Sequence, residues 1–259
     1  MKRTASANAK ADSAESPPVT DGDGTARKLA EVISERIEMN IIDRGWPVGE
    51  VIGSEADLLA EYGVSRAALR EAIRLLEHHN VAYMRRGPGG GLVVAEPDPV
   101  PVTKAAAVYL RYKDVSVRDL FEARIALELA AVRTATERIN EQGVARLREV
   151  LEYEQTFSAE ADATIHDFHI VVAELSGNPA LHLFNDVLTQ LSAAGFLGTR
   201  ALFDRHAVVS RPASELETTH RVHTLIAEAI IAGDASLAQH RTQSHLRAMA
   251  DALGAVRSK

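Results

Sequence analysis

From Thr25 onward, large apolar residues return every three to four positions almost to the end of the chain, and this period restricts the fold more than any other feature. A mainly α protein follows. The period lapses for long enough to matter in one place, where Val81-Ala82-Tyr83-Met84 and Leu92-Val93-Val94-Ala95 read as two short strands flanking Arg85-Arg86-Gly87-Pro88-Gly89-Gly90-Gly91. That hairpin comes early in the chain, after three candidate helices.

The first 24 residues are Ala, Ser, Asp, Pro and Thr with almost no large apolar side chain, too little to offset the entropy of ordering, so residues 1–24 are expected to be a disordered tail. Leu29, Val32, Ile33, Ile37 and Ile41 then mark an amphipathic helix that ends near Asp43, before Trp46-Pro47-Val48-Gly49. Ser54 with Asp57 forms a weak capping box, and Gly63 suits a left-handed helix terminus, which delimits a short helix from Glu55 to Tyr62. Ser65 caps a third helix that turns Leu69, Ile73, Leu75 and Leu76 inward and runs to about His79. Residues 25–95 therefore form one unit, and the Pro-rich stretch 96–101 is a natural linker. Beyond it, residues 102–256 repeat near period 3.6 and predict an antiparallel bundle of six or seven helices. Its breaks fall at Asn140 to Gly143, Ser176-Gly177-Asn178-Pro179, Ser210-Arg211-Pro212 and Gly233-Asp234.

Composition narrows the chemistry. The chain has no cysteine among its 259 residues, which excludes disulfides, thiolate metal sites and a Cys nucleophile. Any metal must be held by His and carboxylate. The formal charge is −7, so binding to nucleic acid requires a locally basic surface. No run of about 18 apolar residues occurs and the N-terminus lacks an apolar signal core, so a cytoplasmic protein with no membrane partner is expected.

A locally basic surface does exist. The segments Glu55 to Tyr62, Gly63-Val64-Ser65 and Arg66 to His79 have the proportions of a helix-turn-helix, whose second helix enters the major groove. Arg66, Arg70 and Arg74 stand at i, i+4 and i+8, a like-charged ridge that is mildly unfavourable unless an anion faces it. From Arg66 to Arg86 there are five Arg against Glu71 and Glu77, although a solvated face with Glu71 paired to Arg74 would read the same way. The glycines of the hairpin add to the first reading, because a tight Gly turn brings backbone N–H groups and Arg85 and Arg86 close to a phosphate or into a minor groove.

The helical half carries a second constellation. Five of the ten histidines, His166, His169, His220, His223 and His245, occupy positions that can point inward, and His166/His169 and His220/His223 are i, i+3 pairs. Three such imidazoles from three helices can build an open metal site; hydrogen-bonded or surface histidines are the alternative. Arg124 lies in an otherwise largely apolar helix, where a guanidinium suits bidentate capture of a carboxylate, or an ion pair with Glu128 one turn on.

The motifs Trp46-Pro47-Val48-Gly49, Ser54-Glu55-Ala56-Asp57-Leu58-Leu59-Ala60, Gly63-Val64-Ser65-Arg66, Leu69-Arg70-Glu71-Ala72 and Arg86-Gly87-Pro88-Gly89-Gly90-Gly91 resemble the winged helix of the GntR family of bacterial transcription regulators. The second half is similar to the helical ligand-binding (FCD) domain of the FadR subfamily through Asp119-Leu120-Phe121-Glu122-Ala123-Arg124-Ile125-Ala126-Leu127-Glu128, Phe168-His169, Ser176-Gly177-Asn178-Pro179 and Ile230-Ile231-Ala232-Gly233-Asp234. Together they span roughly Thr25 to Ala252. The resemblance implies base reading by Arg66 and Arg70 and a wing-tip contact at Arg86 and Gly87, with Ser65 and Arg74 completing the expected DNA-binding set. Ala56, Ala67 and Ala68 stand where the family often has Arg, Ser or Thr, which implies a different operator.

In the helical half the resemblance implies a small carboxylate or acyl effector beside Arg124 and a divalent metal (Zn, Ni or Mn) on His169, His223 and His245; Asn178, in the Ser-Gly-Asn-Pro turn, is a further effector candidate but reads first as a turn residue. The usual Asp ligand position holds Ile165, which leaves water, His166 or Asp162 to complete the set; relatives of the fatty-acyl type hold no metal. The implied protein is a homodimeric regulator, in the first place a repressor, on an operator with palindromic half-sites. A metal-dependent enzyme built on the histidines is the rival reading. It lacks His-Glu-x-x-His and the paired Glu-x-x-His of di-iron bundles, and leaves the winged helix unexplained.

Overall fold

The computed structural model describes residues 21–156, 168–197 and 213–257, which divide into two compact units, residues 1–98 and 99–259. In the first unit, α1 (Asp21–Asp43) begins inside the expected tail, four residues before Thr25. Its Ala30, Ile33, Ile37 and Ile41 are buried at helical spacing and pack on α3 (Arg66–His78) through Leu69, Ala72, Ile73 and Leu76. Between them lies α2 (Glu55–Tyr62), whose start is held by the reciprocal Ser54/Asp57 capping box and whose end is closed by Gly63 at φ 63°. Ser65 Oγ accepts the Ala68 N–H at 3.2 Å and so starts α3 with Arg66 as its first residue.

The sheet has one strand more than the sequence pattern predicts. Strands β1 (Val51–Gly53), β2 (Ala82–Arg85) and β3 (Gly91–Val94) form an antiparallel sheet in the order β1-β3-β2. Three residues are too few to establish a period of two, which is why β1 escapes a reading by periodicity. Arg85 pairs with Gly91 at the end of the β2–β3 hairpin. A Cβ on Gly91 would meet the Gly53 carbonyl oxygen at 2.5 Å, so the close approach of β1 explains the last glycine of the run.

The second unit is all helical among the described residues. The helices are α4 (Val100–Tyr112), α5 (Val117–Arg138), α6 (Glu141–Thr156), α7 (Phe168–Leu175), α8 (Pro179–Leu197), α9 (Ala213–Ile231) and α10 (Ala235–Arg257). The expected linker 96–101 is shortened, because Pro99 stands at the N-cap of α4 and Pro101 lies in its first turn, where a missing N–H is harmless. Helix α5 is the axis of the bundle: α7, α8, α9 and α10 all pack against it. The main apolar cluster of this unit, among the described residues, joins Val132 and Ala135 of α5 to Leu147 and Val150 of α6, Phe168, Val171 and Val172 of α7, and Ile226 and Ile230 of α9. A smaller one joins Val117 and Phe121 of α5 to Leu246 of α10. No helix among the described residues is long and apolar enough to cross a membrane.

Candidate functional site

In the first unit the arginines stand as a surface array. Arg66, Arg70 and Arg74 are exposed along α3, and Arg86 and Gly87 are exposed at the hairpin tip, where Gly87 takes φ 97°. Arg70 Nε lies 3.3 Å from Glu55 Oε1 of α2, and Arg74 Nη1 lies 2.9 Å from Glu71. Such exposed pairs contribute about 0 to 1 kcal/mol, so a phosphate or a guanine edge can displace either carboxylate. Arg85 donates to the Gly89 carbonyl at 3.1 Å and stiffens the turn, leaving Arg86 as the outward cation of the hairpin. The Ser65 side chain serves as the N-cap of α3.

In the second unit, α7, α9 and α10 bring His169, His223 and His245 together, with one ring nitrogen from each lying within 4.8 Å of the others. His223 Nε2 and His245 Nε2 are 3.2 Å apart. Two imidazoles on one tetrahedral zinc, with Zn–N bonds of about 2.0 to 2.1 Å, stand roughly 3.3 Å apart, so the His223–His245 pair has the spacing of two ligands to such an ion, with His169 in reach as a third. The rings of His169 and His245 are stacked, with centroids 5.2 Å apart, and His223 meets both edge-on. Burial, with His169 and His223 alongside, pushes the His245 imidazole down to about 2, so it is neutral at physiological pH, as a ligand must be.

Two carboxylates orient the rings from behind. Glu128 of α5 takes the Nδ1–H of His169 at 2.6 Å, and Glu154 of α6 takes that of His223 at 2.6 Å. Outer carboxylates of this kind turn Nε2 toward a metal and raise the basicity of the ligand. Arg124 is buried on α5, one turn before Glu128; its Nε lies 2.5 Å from Glu128 Oε1 and its guanidinium sits 5.6 Å over the Phe121 ring. Burial alone would raise the Glu128 carboxyl, but His169 and Arg124 hold it down to about 2. Arg124 thus belongs to the histidine site through Glu128.

Asn178 takes the turn role rather than that of an effector contact: it is exposed, and its Oδ1 accepts from the N–H groups of Ala180 and Leu181 as the cap of α8. His220 engages Glu154 at 3.4 Å and Gln155 at 3.0 Å instead of joining the three-histidine cluster. Ile165, Asp162 and His166 lie outside the described residues.

Periodicity could have disclosed both carboxylates. Glu154 follows Leu147, Val150 and Leu151 on the inner stripe of α6, and Glu128 follows Phe121 and Arg124 on that of α5; a charge on an apolar stripe is the available signal. Asn185 and Thr189, one turn apart on α8, and Thr242, one turn before His245 on α10, are buried, and their side-chain oxygens have no hydrogen-bond partner among the described residues. Helices α8 and α10 both pack on α5.

The FCD domain family matches residues 119–248, half of the chain, and the GntR family of bacterial regulatory proteins matches residues 29–94. The chain belongs to the FCD domain family and carries a GntR-type DNA-binding domain at its N-terminal side. Among curated relatives, the HTH-type transcriptional repressor NanR of Escherichia coli K12 is 27% identical over 231 residues, covering 86% of this chain and 83% of its own. The HTH-type transcriptional regulator LutR of Bacillus subtilis is 29% identical over 213 residues, covering 79% of this chain and 92% of its own. A solved Streptococcus agalactiae GntR structure superposes with a TM-score of 0.59 at 20% identity, over 86% of this chain and 99% of that one, and shares the fold. This FCD-family chain is therefore a ligand-controlled, DNA-binding transcription regulator, with a GntR-type winged helix and an FCD domain.

Proposed function

We propose that this regulator is a homodimeric repressor of the FadR type whose operator affinity is set by a small polar carboxylic acid bound at Arg124 beside a divalent metal on His169, His223 and His245. The observation that carries the reading is a buried guanidinium joined by one carboxylate to a cluster of three imidazoles, inside the FCD domain of a DNA-binding chain. Arg124 has a planar fork of donors, and only its Nε is engaged by Glu128 among the described residues, so the two Nη groups suit the two oxygens of an acid. Buried polar atoms without partners are costly, and Asn185, Thr189 and Thr242 favour a hydroxylated or otherwise polar acid over a long acyl chain.

Neutral nitrogen donors favour Zn²⁺ or Ni²⁺ over Mn²⁺. When bound, the metal would supply a fixed positive charge for the oxygens of the acid. Dimerisation is supported by the size of the reading surface: one α3 helix covers a single half-site, and two related by a dyad read sites one groove turn apart. Repression is favoured by the name that NanR carries. Chelator-treated protein titrated calorimetrically with Zn²⁺ is expected to bind one ion per chain, and His223→Ala to lose at least ten-fold in affinity. Zinc binding absent from the wild type, or unchanged in His223→Ala, would remove the metal from the proposal.

A further inference from the structure

Every carboxylate oxygen of Glu128 has a partner. Oε1 faces Arg124 Nε at 2.5 Å and Oε2 faces His169 Nδ1 at 2.6 Å, and all three side chains are buried. Helix α5 places Arg124 and Glu128 one turn apart, and α7 brings His169 across to them. A deprotonated carboxylate can only accept, so the proton of a neutral His169 ring must reside on Nδ1, and the nitrogen that His169 can offer to a metal is Nε2. Arg124 in turn fixes the rotamer of Glu128 from its other side.

We propose that Glu128 is a positioning residue that links Arg124 to His169, so that Arg124, a residue outside the imidazole cluster, helps to set the metal affinity of that cluster. The inference rests on the reading of His169, His223 and His245 as metal ligands. It follows from the need for two acceptors. In Glu128→Gln the side chain keeps one oxygen and gains an NH₂ group, which must face either the guanidinium, donor against donor, or His169 Nδ1. In the second arrangement Nδ1 becomes the acceptor, the proton moves to Nε2, and the ligand nitrogen is blocked. Either way one of the two links is lost. His223 is held by Glu154 instead and supplies an internal control.

The test combines ¹⁵N–¹H correlation of the imidazoles in metal-free protein at pH 8 with calorimetric titration by Zn²⁺ alone. The wild type is expected to carry the His169 proton on Nδ1. In Glu128→Gln, zinc affinity falls at least ten-fold, with the His169 proton moved to Nε2 where the amide NH₂ faces Nδ1, while His223 keeps its own tautomer. Arg124→Met weakens zinc in the same direction, and Arg124→Met/Glu128→Gln, which leaves no buried charge of this pair unmatched, is no weaker than Glu128→Gln alone. The double variant also serves if Glu128→Gln does not fold. A wild-type His169 with its proton on Nε2, or zinc affinity equal to wild type in the folded variants, would overturn the inference while the metal site stands. A wild type that binds no zinc would instead overturn the metal reading.

Discussion

Replacing Arg124 with Ala is expected to lower the stability of the helical unit by about 3 to 5 kcal/mol, the usual cost of removing one member of a buried ion pair. Arg124 and Glu128 are each about 3% exposed, so water cannot take over the solvation of the abandoned carboxylate. Urea unfolding followed on the helical domain reads the loss directly. Removing both charges, as in Arg124→Met/Glu128→Gln, should recover much of it, since what destabilises is the unmatched charge rather than the missing contact. A loss below about 1 kcal/mol in Arg124→Ala would mean that the pair is solvated like a surface one. At concentrations where the variant is folded, operator binding should persist and its response to acid should disappear.

The second large effect concerns the reading helix. Arg66→Ala and Arg70→Ala should each weaken binding to a selected operator by about 1 to 3 kcal/mol and relax preference at one or two base pairs. Arg70 gives up only an exposed pairing with Glu55 when it meets DNA, so little of that contact energy is lost to breaking the free-state arrangement. Arg74 and Arg86 are expected to behave differently from Arg66 and Arg70. As phosphate or wing contacts they should weaken binding nearly uniformly across sequences and reduce the slope of log affinity against log salt by about 1 each. Fluorescence anisotropy with operator and single-mismatch duplexes separates the two classes; unchanged base preference in both Arg66→Ala and Arg70→Ala would remove them from direct readout.

The two halves of the molecule were unequally legible. Capping chemistry and periodicity located α2 and α3 well, because Ser54, Gly63 and Ser65 act within a few residues of themselves. The arginine ridge needed nothing further, being a property of one helix. The histidine site depends on contacts far apart in the chain: 41 residues separate Glu128 from His169, and 69 separate Glu154 from His223. Residue type and helical face can nominate such groups, yet no local rule says which helices meet. Arg124 shows the consequence, since its ion pair with Glu128 is readable at i, i+4 while its link to His169 is not. Asn178 is the local counterpart, since the chemistry of its turn is enough to place it as the cap of α8.

The central claim is that an acid bound in the helical domain controls the affinity of the winged helix for a specific DNA sequence. A duplex enriched from a random-sequence pool by the purified full chain, labelled and titrated by anisotropy with zinc-loaded protein across a panel of small hydroxylated and unsubstituted carboxylic acids, measures it. The account predicts an enriched sequence whose half-saturation shifts at least about five-fold with one or more of the polar acids, the lower range of coupling between two sites. Failure to enrich any sequence, or one affinity unchanged across the whole panel, would contradict it.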